Sequence, residues 1–382
     1  MLKNNSHSFA GLPVTLVDEL LAKSVQTAQA TYEAFHEIIN KRDSLRKQLQ
    51  ESAGIHNDSA AEGKEPLTIC GIDGFYSLGK LLTTNSVCCA ACAAEGLPPS
   101  PDKKHWKEPA HDEFFHTEER HDGTSAVLKA VMMEMEVDLA AQAPHDIILL
   151  KGSLISPLLS MMETLKYALQ AKESVSSQTF LNRFKTSILS LKTLFDSSGS
   201  AKLIAGVPKE SSGNELINRL DVPYHCDDKV LFTSILSPGE YTGPLKINET
   251  GLSNVEDIPI KDKKFVEVRD SLVASLSQLH FMYYRPYRWA PAYRIEIDHS
   301  VAENSSRLAQ LLNSIKYQCS TAGIIEPYPL YSAGRMIKNL QHAIPSFHNS
   351  ALSHIIKTHK DDAGELFSLL MFQESDRGDT DG

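Results

Sequence analysis

The stretch from Leu67 to Tyr76, L-T-I-C-G-I-D-G-F-Y, constrains the fold of this chain more than any other. Leu67, Thr68, Ile69, Cys70 and Ile72 are apolar or β-branched and suit a buried strand, and Asp73 stands at its end. Gly74 lets the backbone turn there or approach a ligand closely. Desolvating a lone carboxylate is unfavourable, so Asp73 must be hydrogen-bonded, paired or bound to a cation. A plain Asp-Gly hairpin turn is the alternative at this point. The pattern then recurs. D-I-I-L-L at 146–150 runs into Lys151 and Gly152, and L-I-A-G-V at 203–207 runs into Pro208 and Lys209. Helical spacing fills the intervals, over 124–143, 155–171 and 178–195. Strands alternating with helices predict a mixed α/β domain.

The flanking regions add helices. Mixed three- and four-residue apolar steps predict one long or two joined helices from Pro13 to Gln50, and polar, small residues at 51–66 read as a linker. Residues 78–94 are expected to form one or two strands antiparallel to the first, and 96–123, rich in Pro, Lys, His and acids, a solvated insertion. Residues 213–220 read as helix and 229–235 as strand. Residues 240–264 look irregular, and 279–284 with 292–298 form a hairpin. The hairpin's second strand alternates Tyr293, Ile295 and Ile297 against Arg294, Glu296 and Asp298. Helices are expected over 302–318, 331–343 and 351–371, before an acidic tail expected to be disordered. The division that follows is a helical segment and linker at 1–66, a central domain at 67–345, and a helix with tail at 346–382.

Composition excludes some classes. A chain of 382 residues with 42% hydrophobic content can bury a sizeable core. Its formal net charge of -10 argues against coating nucleic acid through bulk charge, although a local basic groove or bound metal ions can still meet a phosphate. No apolar run approaches the length of a spanning helix, so no membrane partner is expected. The six cysteines lie in or near apolar runs without a disulfide scaffold, which predicts reduced thiols in a cytoplasm. C-C-x-x-C at 88–92 lacks the second pair a zinc site would need.

Taken together, I-D-G at 72–74, the helix M-E-M-E-V-D-L, I-I-L-L-K-G-S-L, L-I-A-G-V-P-K, S-P-G-E-Y at 237–241, Y-R-I-E-I at 293–297 and P-Y-P-L-Y-S-A-G from Pro327 resemble the NurA nuclease family, in order and over 67–343. The resemblance implies a ribonuclease H-like mixed sheet with flanking helices. It also implies carboxylates that hold Mn2+ or Mg2+ during phosphodiester displacement. Asp73 matches the family's first metal aspartate. Glu134, seventeen residues before Lys151, matches its helix glutamate better than Glu136 does, although periodicity leaves open which of the two faces the sheet.

The chain also departs from the family. Lys151 stands where the family has a second aspartate, and Glu326 and Gly334 stand where it has a tyrosine and a histidine. An ammonium cannot ligate a metal while protonated. Either Glu326, helped by Glu136 or Glu296, supplies the missing carboxylate while Lys151 meets the phosphate, or Lys151 pairs with Asp73 or Glu134 in a scaffold that no longer cuts. Lys209 and Arg294 are candidate phosphate contacts, and as plainly ordinary surface charges. Phe281, Tyr283, Tyr284, Tyr287 and Trp289, with Arg285 and Arg288, either stack on single-stranded DNA or divide between core and loop. The resemblance further implies DNA-end processing with a HerA-type hexameric ATPase, in break repair or phage defence, by a homodimer joined through its terminal helices. No G-x-x-x-x-G-K-[ST] occurs, so a motor must be a separate chain.

Overall fold

The structure is a computed structural model that describes residues 11–61, 64–81, 84–196, 202–209, 216–222, 227–248, 251–256, 262–358 and 364. Two joined helices, α1 (Val14–Asn40) and α2 (Arg42–Ser52), lead into β1 (Ile55–Asn57). The long antiparallel ribbon β2 (Ile69–Lys80), β3 (Asn85–Glu95) and β4 (Ala110–Glu118) follows, then α3 (Thr124–Gln142), β5 (Ile147–Leu150), α4 (Ser156–Gln170), α5 (Val175–Asp196) and β6 (Leu203–Gly206). Next come α6 (Asp228–Ile235), β7 (Glu240–Thr242), β8 (Leu245–Lys246), α7 (Leu252–Glu256) and α8 (Lys263–Leu276). The chain closes with β9 (His280–Arg285), β10 (Tyr293–Ile297), α9 (His299–Ala302), α10 (Ser305–Gln318) and α11 (Tyr328–Thr358).

The ten strands among the described residues join one mixed sheet in the order β1-β7-β9-β10-β6-β5-β2-β3-β4, with β8 on β9. β2, β5 and β6 run parallel at its centre, and the remaining pairs are antiparallel. Period-two alternation divides the core. Cys70, Ile72, Ile148, Leu150 and Ile204 pack with α3, α4 and α5, while Ile69, Ile147, Leu149 and Ala205 pack with α10 and the start of α11. Phe75, Cys88 and Ala90 extend the second face against Ile337 and Ile344 of α11. Asp73, in step with Ile69 and Phe75, therefore belongs to the α11 face, and Gly74 to the α3 face.

Several expectations are corrected. Residues 229–235 form α6 rather than a strand, because Asp227 caps the run by accepting from the Lys229 N–H, and Leu231, Phe232 and Ile235 then share one buried face. The linker at 51–66 contains β1, paired with β7, and the insertion at 96–123 contains the edge strand β4. Residues 240–264 supply β7, β8 and α7. Residues 331–343 and 351–358 of the two expected C-terminal helices belong to one helix, α11, which runs through Pro345 and so crosses the expected boundary at residue 345, while 359–371, apart from 364, lie outside the described residues. Of the helix expected at 213–220, residues 216–220 fall among the described residues and form only the single turn Ile217–Arg219, and the acidic tail lies outside them. Cys88 and Cys92 sit on the α11 face and Cys89 on the α3 face, so the cysteine cluster does not converge. Among the described residues no helix is long and apolar enough to cross a membrane.

Candidate metal and phosphate site

The centre of the sheet ends unevenly. β5 pairs with β2 only as far as Ile72 opposite Leu150, and the Lys151 N–H adds one more bond to the Ile72 carbonyl at 3.0 Å. Beyond it β2 runs on without a partner on that side, while β3 continues to flank it on the other. Asp73 stands at this step. The parallel register sets Lys151 beside it, with Nζ 2.9 Å from Asp73 Oδ2 and 3.3 Å from Glu326 Oε2. Glu326 comes from the turn entering α11, whose first residues lie against Gly71 of β2. Gly334, one further turn along α11, leaves the space: a Cβ there would lie 2.9 Å from Asp73 Oδ2 and closer still to Lys151 Nζ.

The second acid on Asp73's doorstep is Glu136 rather than Glu134. A Cβ at Gly74 would meet Glu136 Oε1 at 2.9 Å and Met132 Cγ at 2.8 Å, so the glycine admits one face of α3 to the strand backbone. Both the Asp73 and Glu136 carboxylates draw on the Gly74 N–H. Burial, then the Asp73 charge, pushes the Glu136 carboxyl up to about 8. Burial also raises Asp73, against the pull of the Lys151 ammonium. Burial opposes the charge on Lys151, but Asp73 and Glu326 outweigh it and hold the lysine above its ordinary value.

The expected partnership of Asp73 with Glu134 does not form. Glu134 points to the other side of α3, is fully buried, and has no hydrogen-bond partner on either oxygen. Its carboxyl is pushed up to about 10 by burial, so it is neutral at pH 7. The physical reason is the helical twist: residues two apart lie about 200° apart around the axis, so only one of the pair can face Gly74.

The remaining candidates divide. Glu296 is buried in β10, where it accepts the Leu154 N–H at 3.0 Å and the Arg294 Nε at 3.4 Å, so it is not available to Asp73. Arg294 is buried too, with its guanidinium 4.1 Å from the Phe281 ring centroid, and both belong to the core where a solvated strand face was the plain expectation. Arg294 nevertheless lines a cleft next to Asp73 with Lys151, Lys209, Lys229, Tyr283 and Glu326, and Lys209 stands exposed at its edge. Lys229 was not singled out from sequence, since its segment read as a strand. Phe281, Tyr283 and Tyr284 are core residues, whereas Tyr287 and Trp289 stack at 4.6 Å with Trp289 partly exposed.

The donor set suits a hard divalent cation. Carboxylate oxygens are its preferred ligands, and two acids raised first by burial, with the Asp73 charge adding to Glu136 and the Glu326 charge to Asp73, are the groups a cation would return to the ionised state. The Lys151 ammonium stands among the same oxygens, so it and a cation compete for Asp73.

A sequence model of the NurA domain matches residues 27–341. The fold is similar to that of the NurA nuclease from Sulfolobus solfataricus, at 12% identity over 90% of this chain and 98% of that one, with a TM-score of 0.58. It is also similar to a NurA structure at 11% identity, covering 86% of this chain and 97% of that one, with a TM-score of 0.53. A NurA solved with manganese gives 11% identity, 86% and 98% coverage, and a TM-score of 0.51. Likeness at this identity establishes the fold. No curated protein matches the chain in sequence.

Proposed function

The chain belongs to the NurA domain family, and on that premise we propose that it is a DNA nuclease that uses Mn2+ or Mg2+ held by Asp73 and Glu136, with Glu326 as a third carboxylate. The observation that carries this reading is Asp73 on the unpaired edge of β2, linked to Glu326 through Lys151 at 2.9 Å and 3.3 Å and near enough to Glu136 for its charge to raise that carboxyl. A bound divalent ion would supply an activated water and charge stabilisation at the phosphodiester. Asp73 and Glu136 hold negative charge where the ion binds. Lys151, paired with Asp73 and Glu326 as the chain stands, would be released by an ion held on those carboxylates and could then contact a phosphate oxygen. Lys209 and Lys229, at the cleft, neutralise the DNA backbone on approach. Asp228 and Glu326 line the same cleft, and Lys151 and Arg294 are already ion-paired, so this role falls to Lys209 and Lys229. Family membership further supports work on DNA ends together with a HerA-type hexameric ATPase, in break repair or phage defence. It also supports a homodimer, for which α1 offers the surface.

One observation favours a second reading, in which the chain binds and regulates the ATPase ring without cutting. The single Lys151 ammonium, 2.9 Å and 3.3 Å from two of the three acids, occupies both and offsets one of their charges without any metal. A nuclease assay on linear duplex and single-stranded DNA with Mn2+, with and without a cognate ATPase, separates the two. In the enzyme reading wild type cuts, and Asp73→Ala and Glu136→Ala each lose at least about a hundredfold, the scale of a removed charge-stabilising group. An inactive wild type in the presence of an ATPase that binds it establishes the scaffold.

A further inference from the structure

We infer a second metal site, of the zinc class, formed by His280, His299 and Glu303 at the opposite strand end of the sheet from Asp73. The ligand atoms of the three side chains lie within 4.8 Å of one another, and no other group of three or more potential ligands comes together in this way among the described residues.

The backbone holds the three in place. His280 opens β9 and is paired in register with Ile297, the last residue of β10, and two residues later the chain presents His299. Asp298 fixes the exit of the strand by accepting the Ser300 N–H at 2.8 Å. The Glu303 N–H then donates to the His299 carbonyl at 3.0 Å, so His299 and Glu303 stand one helical turn apart on the same side. β10 runs antiparallel to β6, so its far end lies by the N-terminal ends of β6 and β5, whereas Asp73 and Lys151 lie by their C-terminal ends.

The protonation pattern suits a ligand role. His280 Nδ1 is 2.9 Å from the Gln278 carbonyl oxygen. A carbonyl only accepts, so Nδ1 carries the hydrogen and Nε2 keeps its lone pair, the arrangement in which metal-bound histidines are oriented by their other nitrogen. The His280 and His299 rings face each other with centroids 5.4 Å apart and planes 28° from parallel. Two imidazoles and one carboxylate, with His299 and Glu303 exposed, give three protein ligands and an open fourth position for water. Nitrogen-rich donors favour Zn2+, Co2+ or Ni2+ over the Mg2+ and Mn2+ that suit carboxylates, so the two sites would not exchange metals freely. Lys246, opposite His280 in the β8–β9 pairing, is exposed, and its ammonium can turn to solvent as an ion enters. A bound ion would tie the start of β9 to α9 and clamp the hairpin at the rim of the sheet.

The test uses the full chain, stripped of metal and titrated with Co2+ and then Zn2+. Wild type is expected to take one equivalent of Co2+ with visible ligand-field bands and no thiolate charge-transfer band, to release it to Zn2+, and to gain melting temperature with Zn2+. His299→Ala and Glu303→Ala each weaken binding by more than about tenfold, since even groups that only orient a ligand are worth that much. Asp73→Ala leaves the signal intact. The inference is overturned if wild type shows no such bands, if they survive in both variants, or if Asp73→Ala removes them. His299 and Glu303 are exposed, so circular dichroism of these variants is expected to match wild type, and a loss of binding is then a loss of ligands.

Discussion

Glu134 carries the clearest cost in the molecule. Both its oxygens are buried without a partner, and burial pushes its carboxyl up to about 10 from an ordinary 4.5. In the unfolded chain the group ionises near 4.5, so between the two values the unfolded state holds fewer protons and stability falls as pH rises. Glu134→Leu keeps the volume and removes the orphaned polar atoms, and is expected to stabilise by about 1–3 kcal/mol at pH 7. The gain should be smaller at pH 5 than at pH 8 in urea unfolding, and DNA cleavage should persist. A loss of cleavage equal to that of Glu136→Ala would return the metal role to Glu134. Lys151 is the opposite case, a charge whose removal leaves Asp73 and Glu326 to repel each other. Lys151→Ala should therefore melt below wild type in EDTA and recover with Mn2+, while wild type gains less. Equal Mn2+ shifts in both proteins would mean that the ammonium does not compete with the ion.

At the scale of elements, the docking of α11 on β2 builds the site. Gly71 permits it, since a Cβ there would lie 2.5 Å from the Leu330 backbone nitrogen and 2.6 Å from the Pro329 carbonyl carbon, neither of which can rotate away. Gly71→Ala should cost about 1–3 kcal/mol, the range for overpacking a tight core, and should displace Glu326 from Lys151. A lowered urea midpoint at unchanged m-value checks the first part, and unchanged stability would mean that α11 rides looser than its contacts imply. The strand carrying Asp73 was legible as far as Ile72, because short apolar runs between helices leave few alternatives, but it neither ends nor turns at Asp73 and Gly74: β2 runs on to Lys80, held by its antiparallel pairing with β3. The choice between Glu134 and Glu136 was not legible, because α3 is buried around nearly its whole circumference, with Leu128, Val131, Met135 and Val137 all in the core, and an all-round apolar helix offers no stripe to read. α6 was misread as a strand because seven residues show no period, and its real signal was the acidic pair Asp227 and Asp228 at its start. β4 was missed because an edge strand exposes most of its side chains and reads as polar loop.

At the scale of the whole molecule, α1 is the element the fold leaves unfinished. Val14, Leu21, Val25, Tyr32, Phe35 and Ile39 are all exposed, and with Asp18 and Ala28 they recur at alternating four- and three-residue steps along one side of the helix. That alternation is the 3.5-residue period of a coiled-coil seam, sustained over the length of α1, which a monomer has no reason to keep apolar. A second copy of α1 is the partner that fits, since an identical seam is self-complementary about a two-fold axis. Asp18 then falls at a seam position near the helix start, where two carboxylates would face each other in a parallel pair and stand apart in an antiparallel one. The antiparallel pair is therefore expected. Light scattering at tens of micromolar should give the mass of a dimer, and Val25→Asp, at the middle of the seam, should give a monomer with unchanged circular dichroism outside α1. Asp18→Leu should tighten the dimer. If the wild type is a monomer at that concentration, or if Val25→Asp remains a dimer, the seam faces some other chain, and the ATPase ring becomes the surface to test against it.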